Sequence, residues 1–167
     1  MALTTSIITK VSATQTSASD LGTAKFPVEY SSTTSMGSGT GSGLADLLFT
    51  DTRTIAASGT EDLDLAGGLT DGLGNTLTFA KVKAIMIKAA SGNTNDVTVS
   101  PASANGFLGP FNAAADLVSI PPGGIFMVQA PVAGWTVTAA TGDLLTIANS
   151  SSGTGVTYDI IIVGTSA

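Results

Sequence analysis

The chain contains no cysteine and no histidine. The first absence removes disulfides, thiol nucleophiles and thiolate metal sites. The second removes Ser-His-Asp and Cys-His arrangements, the commonest general base at neutral pH, and imidazole ligands. Charge is scarce as well: 11% of residues are charged, against about 25% in an ordinary soluble domain. The cations are Lys10, Lys25, Arg53, Lys81, Lys83 and Lys88, on a chain of net charge −6. A nucleic-acid binder needs a concentrated basic surface, so no nucleic-acid partner is expected. Long apolar runs are missing too. No stretch approaches the roughly 18 residues of a membrane span, and no membrane partner is expected. The N-terminal MALTTSIITKVSATQTSAS lacks the basic start and long apolar centre of a secretory signal.

What fills the gap is Thr, Ser, Ala and Gly, with 43% of the 167 residues hydrophobic. That length predicts one domain plus an arm, or at most two small domains. It is enough to bury a core without covalent staples. A neutral, hydroxylated surface suits a secreted β protein, or a virion component whose surface neighbours cover.

Residues 1–43 differ from the rest. They are Ser/Thr/Gly-rich and end in SSTTSMGSGTGSG (Ser31 to Gly43), a composition that favours a flexible chain. FPVEY (Phe26 to Tyr30) interrupts them with β-formers. The segment reads as an N-terminal arm and linker that orders against a partner, with Phe26, Val28 and Tyr30 as its partner-binding residues.

Residues 44–167 read as a β-sandwich domain, because short apolar runs alternate there with turn signals. LLFTDTRTIAA (Leu47 to Ala57) is a strand. In Glu61 to Ala66, Leu63 and Leu65 point one way and Asp62 and Asp64 the other. GGLTDGLGN (Gly67 to Asn75) is expected to be a loop. Thr76 to Ala89 is expected to be one long strand, with a bulge near Ala80 placing Leu77, Phe79, Val82, Ala84 and Met86 on one face. LVSI and IFMVQAP flank PPGG (Pro121 to Gly124), which predicts a type II turn and a hairpin. Trp135 and Val137 point inward. LLTIA (Leu144 to Ala148) and VTYDIIIVG (Val156 to Gly164) follow, the last deep in a sheet with Tyr158, Ile160 and Ile162 inward. Ile161 and Val163 on its other face predict that a neighbouring subunit or loops cover them. Only NAAADL (Asn112 to Leu117) is left for a single helical turn.

Chemistry is hard to place on this chain. Glu29 and Glu61 are its only glutamates, and the Asp62/Asp64 pair sits on a solvated strand face rather than across a cleft. DGLGN (Asp71 to Asn75) lacks the alternating ligands and closing Glu of a calcium loop, and turn chemistry accounts for it. GSGTGSG (Gly37 to Gly43) has neither the Lys-Ser/Thr nor the helix of a phosphate loop. Trp135, Phe107, Phe111 and Phe126 read as core rather than a sugar platform, since aromatics make up only 5% of the chain. The expectation is no enzyme, no catalytic residues, no cofactor and no metal.

DLDLAGG (Asp62 to Gly68), PPGG and YDIIIVG (Tyr158 to Gly164), set in a Thr/Ala/Gly-rich strand pattern behind a Ser/Thr/Gly arm, resemble the virion structural proteins of tailed bacteriophages. The resemblance is strongest to small head decoration (cement) proteins with a jelly-roll domain. It implies an all-β, jelly-roll-like antiparallel β-sandwich with an extended N-terminal arm. It also implies a homotrimer that binds the major capsid protein, stabilises the phage head and is assembled in the host cytoplasm. Two other readings stay open: a receptor- or carbohydrate-binding domain of a phage tail or bacterial surface protein, and a tail-tube or baseplate subunit.

Overall fold

The structure is a computed structural model that describes residues 2–167. It is all-β, and apart from one short parallel pair its strands form antiparallel sheets, two of them stacked as a sandwich. The first two, β1 (Thr5–Ser19) and β2 (Gly22–Ser38), make a long hairpin, tied to the body by β3 (Leu44–Ala45). The body then contributes β4 (Leu47–Ile55), β5 (Thr60–Asp64), β6 (Ala66–Thr70), β7 (Thr76–Thr78), β8 (Lys81–Ala89) and β9 (Val97–Pro101). It ends with β10 (Val118–Ile120), β11 (Ile125–Gln129), β12 (Trp135–Thr136), β13 (Leu144–Asn149) and β14 (Val156–Thr165).

One sheet of the sandwich runs β11-β8-β14-β4, with β12 also on β8, and the other runs β10-β9-β13-β5. The chain crosses directly between them from β4 to β5, β8 to β9, β10 to β11, β12 to β13 and β13 to β14, and returns from β5 to β8 through β6 and β7. Alternation explains the core. Phe49, Ile85, Ile87, Ile160 and Ile162 point inward from one sheet, and meet Leu63, Val97, Val99, Leu145 and Ile147 from the other. As expected, β14 is central, between β8 and β4.

Four local expectations need correction. Gly67 to Asn75 is not merely a loop: β6 and β7 pair there, and Leu69 and Leu77 cap one end of the core. The strand at Thr76 to Ala89 is broken at Phe79–Ala80, where the expected phase change keeps Leu77, Phe79 and Val82 on the core side, but a second, unexpected shift lies at Lys83. In the ladder with β14, Val163 faces Ala84 while Gly164 faces Val82, so Lys83 is the extra residue. Leu77, Phe79 and Val82 therefore enter the core, whereas Ala84 and Met86 turn to the opposite face. PPGG does form the turn, with Gly124 N–H donating to Pro121 O at 2.8 Å and Gly123 at φ 77°. It is a corner between sheets rather than a hairpin, since β10 pairs with β9 and β11 with β8. Asn112 to Leu117 makes a turn and no helix. The Asp116 carboxylate there accepts from the N–H groups of Asn112 and Ala113, and this local acceptor holds the turn.

The Ser/Thr/Gly segment also differs from a flexible chain. Ser31 to Ser38 belongs to β2, and Gly39 to Gly43 is a closed turn, with Gly43 N–H bonded to Pro131 O at 3.1 Å. Its threonines are β-branched, and cross-strand pairing supplies the partners that an isolated polar strand lacks.

Candidate functional site

The hairpin packs on the body at its root and leaves it along the rest of its length. Its register pairs Thr5 with Met36, Ile7 with Thr34 and Thr9 with Ser32. Side chains of such pairs share a face. At the root this face lies on the outer side of the β8/β14 sheet. Met36 and Ala45 are buried there against Ala84 and Val163, with Leu3, Ile7 and Ile161 partly buried beside them. The cover over Val163 is thus the chain's own hairpin.

The same face continues outward through the pairs Val11–Tyr30, Ala13–Val28 and Gln15–Phe26. Among the described residues nothing covers it here. Every residue from Ile8 to Ser31 is exposed, with Phe26 at 65%, Tyr30 at 59%, Val11 at 55% and Val28 at 44%. The three residues singled out in the sequence therefore stand side by side on one face of β2. Val11 and Ala13 complete the stripe and are missed by a reading of FPVEY alone. The signal for them is the period-two run Ile7, Thr9, Val11, Ala13, which only a hairpin register places opposite FPVEY. The other face carries Lys10, Ser12, Thr14 and Thr16 opposite Ser31, Glu29, Pro27 and Lys25. The arm is amphipathic: one flank is apolar and uncharged, and the other is polar.

Beside the hairpin root lies an open trough of about 630 Å³. Its floor and far wall include Leu48, Met86, Ile125, Met127 and Ile161, and its near wall is β1, an edge strand. Ile125 and Met127 remain well exposed. A second hollow of about 440 Å³ lies between β4 and the Asp71 turn.

The other candidate groups are engaged in structure. Asp62 accepts from Thr146 Oγ1, and Asp64 accepts from Ala66 N–H at 2.8 Å. Asp71 closes its own turn through Asn75 Nδ2 and the N–H groups of Leu73 and Asn75, and these bonds, led by the Asn75 side chain, hold its carboxyl below the usual range. No group of three or more acidic side chains that could hold a metal occurs among the described residues. Phe107 is fully buried, and Trp135, Phe111 and Phe126 pack against the core, so Phe107 offers no face to a sugar.

No protein-family model matches the chain, and no curated protein matches it.

Proposed function

We propose that this is a non-enzymatic structural protein of a virion: a jelly-roll decoration protein that binds the major capsid protein and stabilises the phage head. The observation that carries the reading is the amphipathic hairpin, whose distal apolar face leaves the body and meets no other part of the chain among the described residues. An exposed apolar stripe on a ribbon of this length suits a protein that acts by contact with other subunits. The strand orders β4-β14-β8-β11 and β5-β13-β9-β10 support the jelly-roll reading, since such folds stack two four-stranded sheets. Low charge supports it further, because charged groups are costly to desolvate between subunits. An oligomer that touches several capsid subunits gains avidity without any single strong site.

The test is to add the full-length protein to undecorated shells of the cognate capsid protein. Saturable extra density on the shell, with greater resistance to heat, is the expected result. Shells that neither bind the protein nor gain heat resistance would refute the decoration role.

A further inference from the structure

We infer that the apolar flank of one chain's hairpin docks into the trough beside the hairpin root of a second copy of the same chain. The inference rests on reading the protein as an assembly component, and names the partner that its arm grips.

Three observations lead there. The first is continuity. Within one chain, the root of this face already lies on the outer side of the β8/β14 sheet, with Met36 and Ile7 against Ala84 and Val163. The trough extends the same surface sideways over Met86, Ile161, Met127 and Ile125. The surface that accepts the root is therefore chemically the surface that the distal stripe needs.

The second is charge. Asp20 and Glu29 balance Lys10 and Lys25 in residues 1–43, so the whole net charge of −6 resides in the body. Two acidic bodies repel each other, whereas a neutral arm approaches an acidic body freely. The stripe itself carries no charge, and apart from Lys10 at its mouth neither does the trough.

The third is area. Phe26 and Tyr30 each expose well over half of their surface, and Val11 and Val28 about half. With about 150–250 Å² for each fully buried aromatic, the stripe offers on the order of 400–500 Å². When two copies exchange arms, each donates one and receives one, which brings the surface buried between them to about 800 Å² per copy, the size of a stable interface; around a ring the same area is divided between two neighbours. Arm and trough are different patches, so the contact is either exchanged reciprocally by two copies or passed around a closed ring.

The absence of cysteine gives a clean test. Val28→Cys and Met127→Cys chains are prepared separately, mixed and oxidised, with Val28→Cys plus Ser152→Cys as the control pair. The expected result is a disulfide-linked V28C–M127C heterodimer, formed at least tenfold faster than the control pair. Light scattering should show the unmodified protein as an oligomer at micromolar concentration. The triple variant F26S/V28T/Y30S should become monomeric while keeping the body's unfolding midpoint. A monomeric unmodified protein would overturn the inference. So would V28C–V28C links in place of V28C–M127C, or a Val28→Cys/Met127→Cys double variant that closes only within its own chain. Failure of shell binding with the cross-link intact would instead refute the decoration role alone.

Discussion

Tyr158 on β14 donates its phenolic hydroxyl to Glu61 Oε1 at 2.7 Å, joining the two sheets across the edge of the core. Arg53 Nη1 holds the other carboxylate oxygen at 2.6 Å, its Nε reaches Asp51 at 3.0 Å, and its guanidinium lies 5.8 Å from the centre of the Phe49 ring. The cluster is a tie between sheets. Tyr158→Phe removes one bond and leaves Glu61 with Arg53, so the loss should be about 1 kcal/mol. Glu61→Ala strands a buried hydroxyl and should cost about 2–3 kcal/mol. Urea denaturation of the two variants measures both values.

The same pair sets the response to alkali. Burial, and then the neighbouring Glu61 carboxylate, push the Tyr158 hydroxyl well above its ordinary value. A group whose pKa is raised by folding contributes its full stabilisation below the unfolded value, about 10 for tyrosine, and loses it as pH rises further. The urea midpoint should fall as pH is raised beyond about 10, and the fall should be smaller in Tyr158→Phe. Equal falls in the two proteins would show that Tyr158 does not govern it.

Sequence legibility divides along physical lines. Strands with one buried face, such as Leu144 to Asn149 and Val156 to Thr165, announce themselves by alternation, and their inward residues were predictable. Lys83 is different. A lysine is ordinarily exposed, so nothing in the sequence marks it as the bulge residue whose ammonium donates to Val132 O at 2.8 Å. The Pro121–Gly124 turn was legible as a turn, but turn chemistry does not say whether its flanks join one sheet or two. The hairpin was hidden because Thr and Ser carry little hydropathy, and Ser19-Asp20-Leu21-Gly22 lacks an Asn-Gly or Asp-Gly pair. Phe26, Val28 and Tyr30 were visible as apolar residues in a polar tract. That they share a stripe with Val11 depends on the register.

Gly164 offers a sharper stability test. It sits at the register shift opposite Val82, and a Cβ there would fall 2.2 Å from Lys81 O and 2.6 Å from Phe79 Cδ1. One contact is backbone and the other is a ring fixed in the core, so neither yields easily. Gly164→Ala should cost about 2–3 kcal/mol by overpacking. Gly72→Ala, at a turn position with nothing within 4 Å, is the control and should change stability far less. Comparable losses would exclude crowding at Gly164 as the cause.

Asn149 closes the opposite end of the sandwich. Its Nδ2 donates to Ala56 O at 3.1 Å and Thr154 O at 2.8 Å, and its Oδ1 accepts from Asn95 Nδ2 at 2.9 Å. Asn149→Ala removes both donated bonds and the acceptor of Asn95, but Ala56 O keeps Gly59 N–H and Thr154 O keeps Asn95 Nδ2, so the loss should be about 1–2 kcal/mol. Asn149→Asp keeps the acceptor and loses the donor, so it should be no more stable than the alanine variant, because it also buries a charge. A near-neutral Asn149→Asp would show that donation from Nδ2 is dispensable.

The hairpin tip governs how ordered the arm is before it binds. Ser19 pairs with Gly22 around a two-residue loop, Asp20–Leu21, and neither loop residue has positive φ. Two-residue loops match strand twist best in the primed turns, where the residues take positive φ. Leu21 is fully exposed, and nothing from the body supports the distal strands, so the arm should open locally at a small fraction of the global unfolding energy. Replacing the loop with Asn-Gly (D20N/L21G) should slow hydrogen exchange of the amides between Val11 and Lys25. Exchange in β13 and β14, and the thermal midpoint of the body, should stay unchanged. An arm that is better ordered loses less entropy on docking, so the same variant should self-associate more tightly than the parent. Slower exchange without tighter association would mean that the arm's order does not limit assembly.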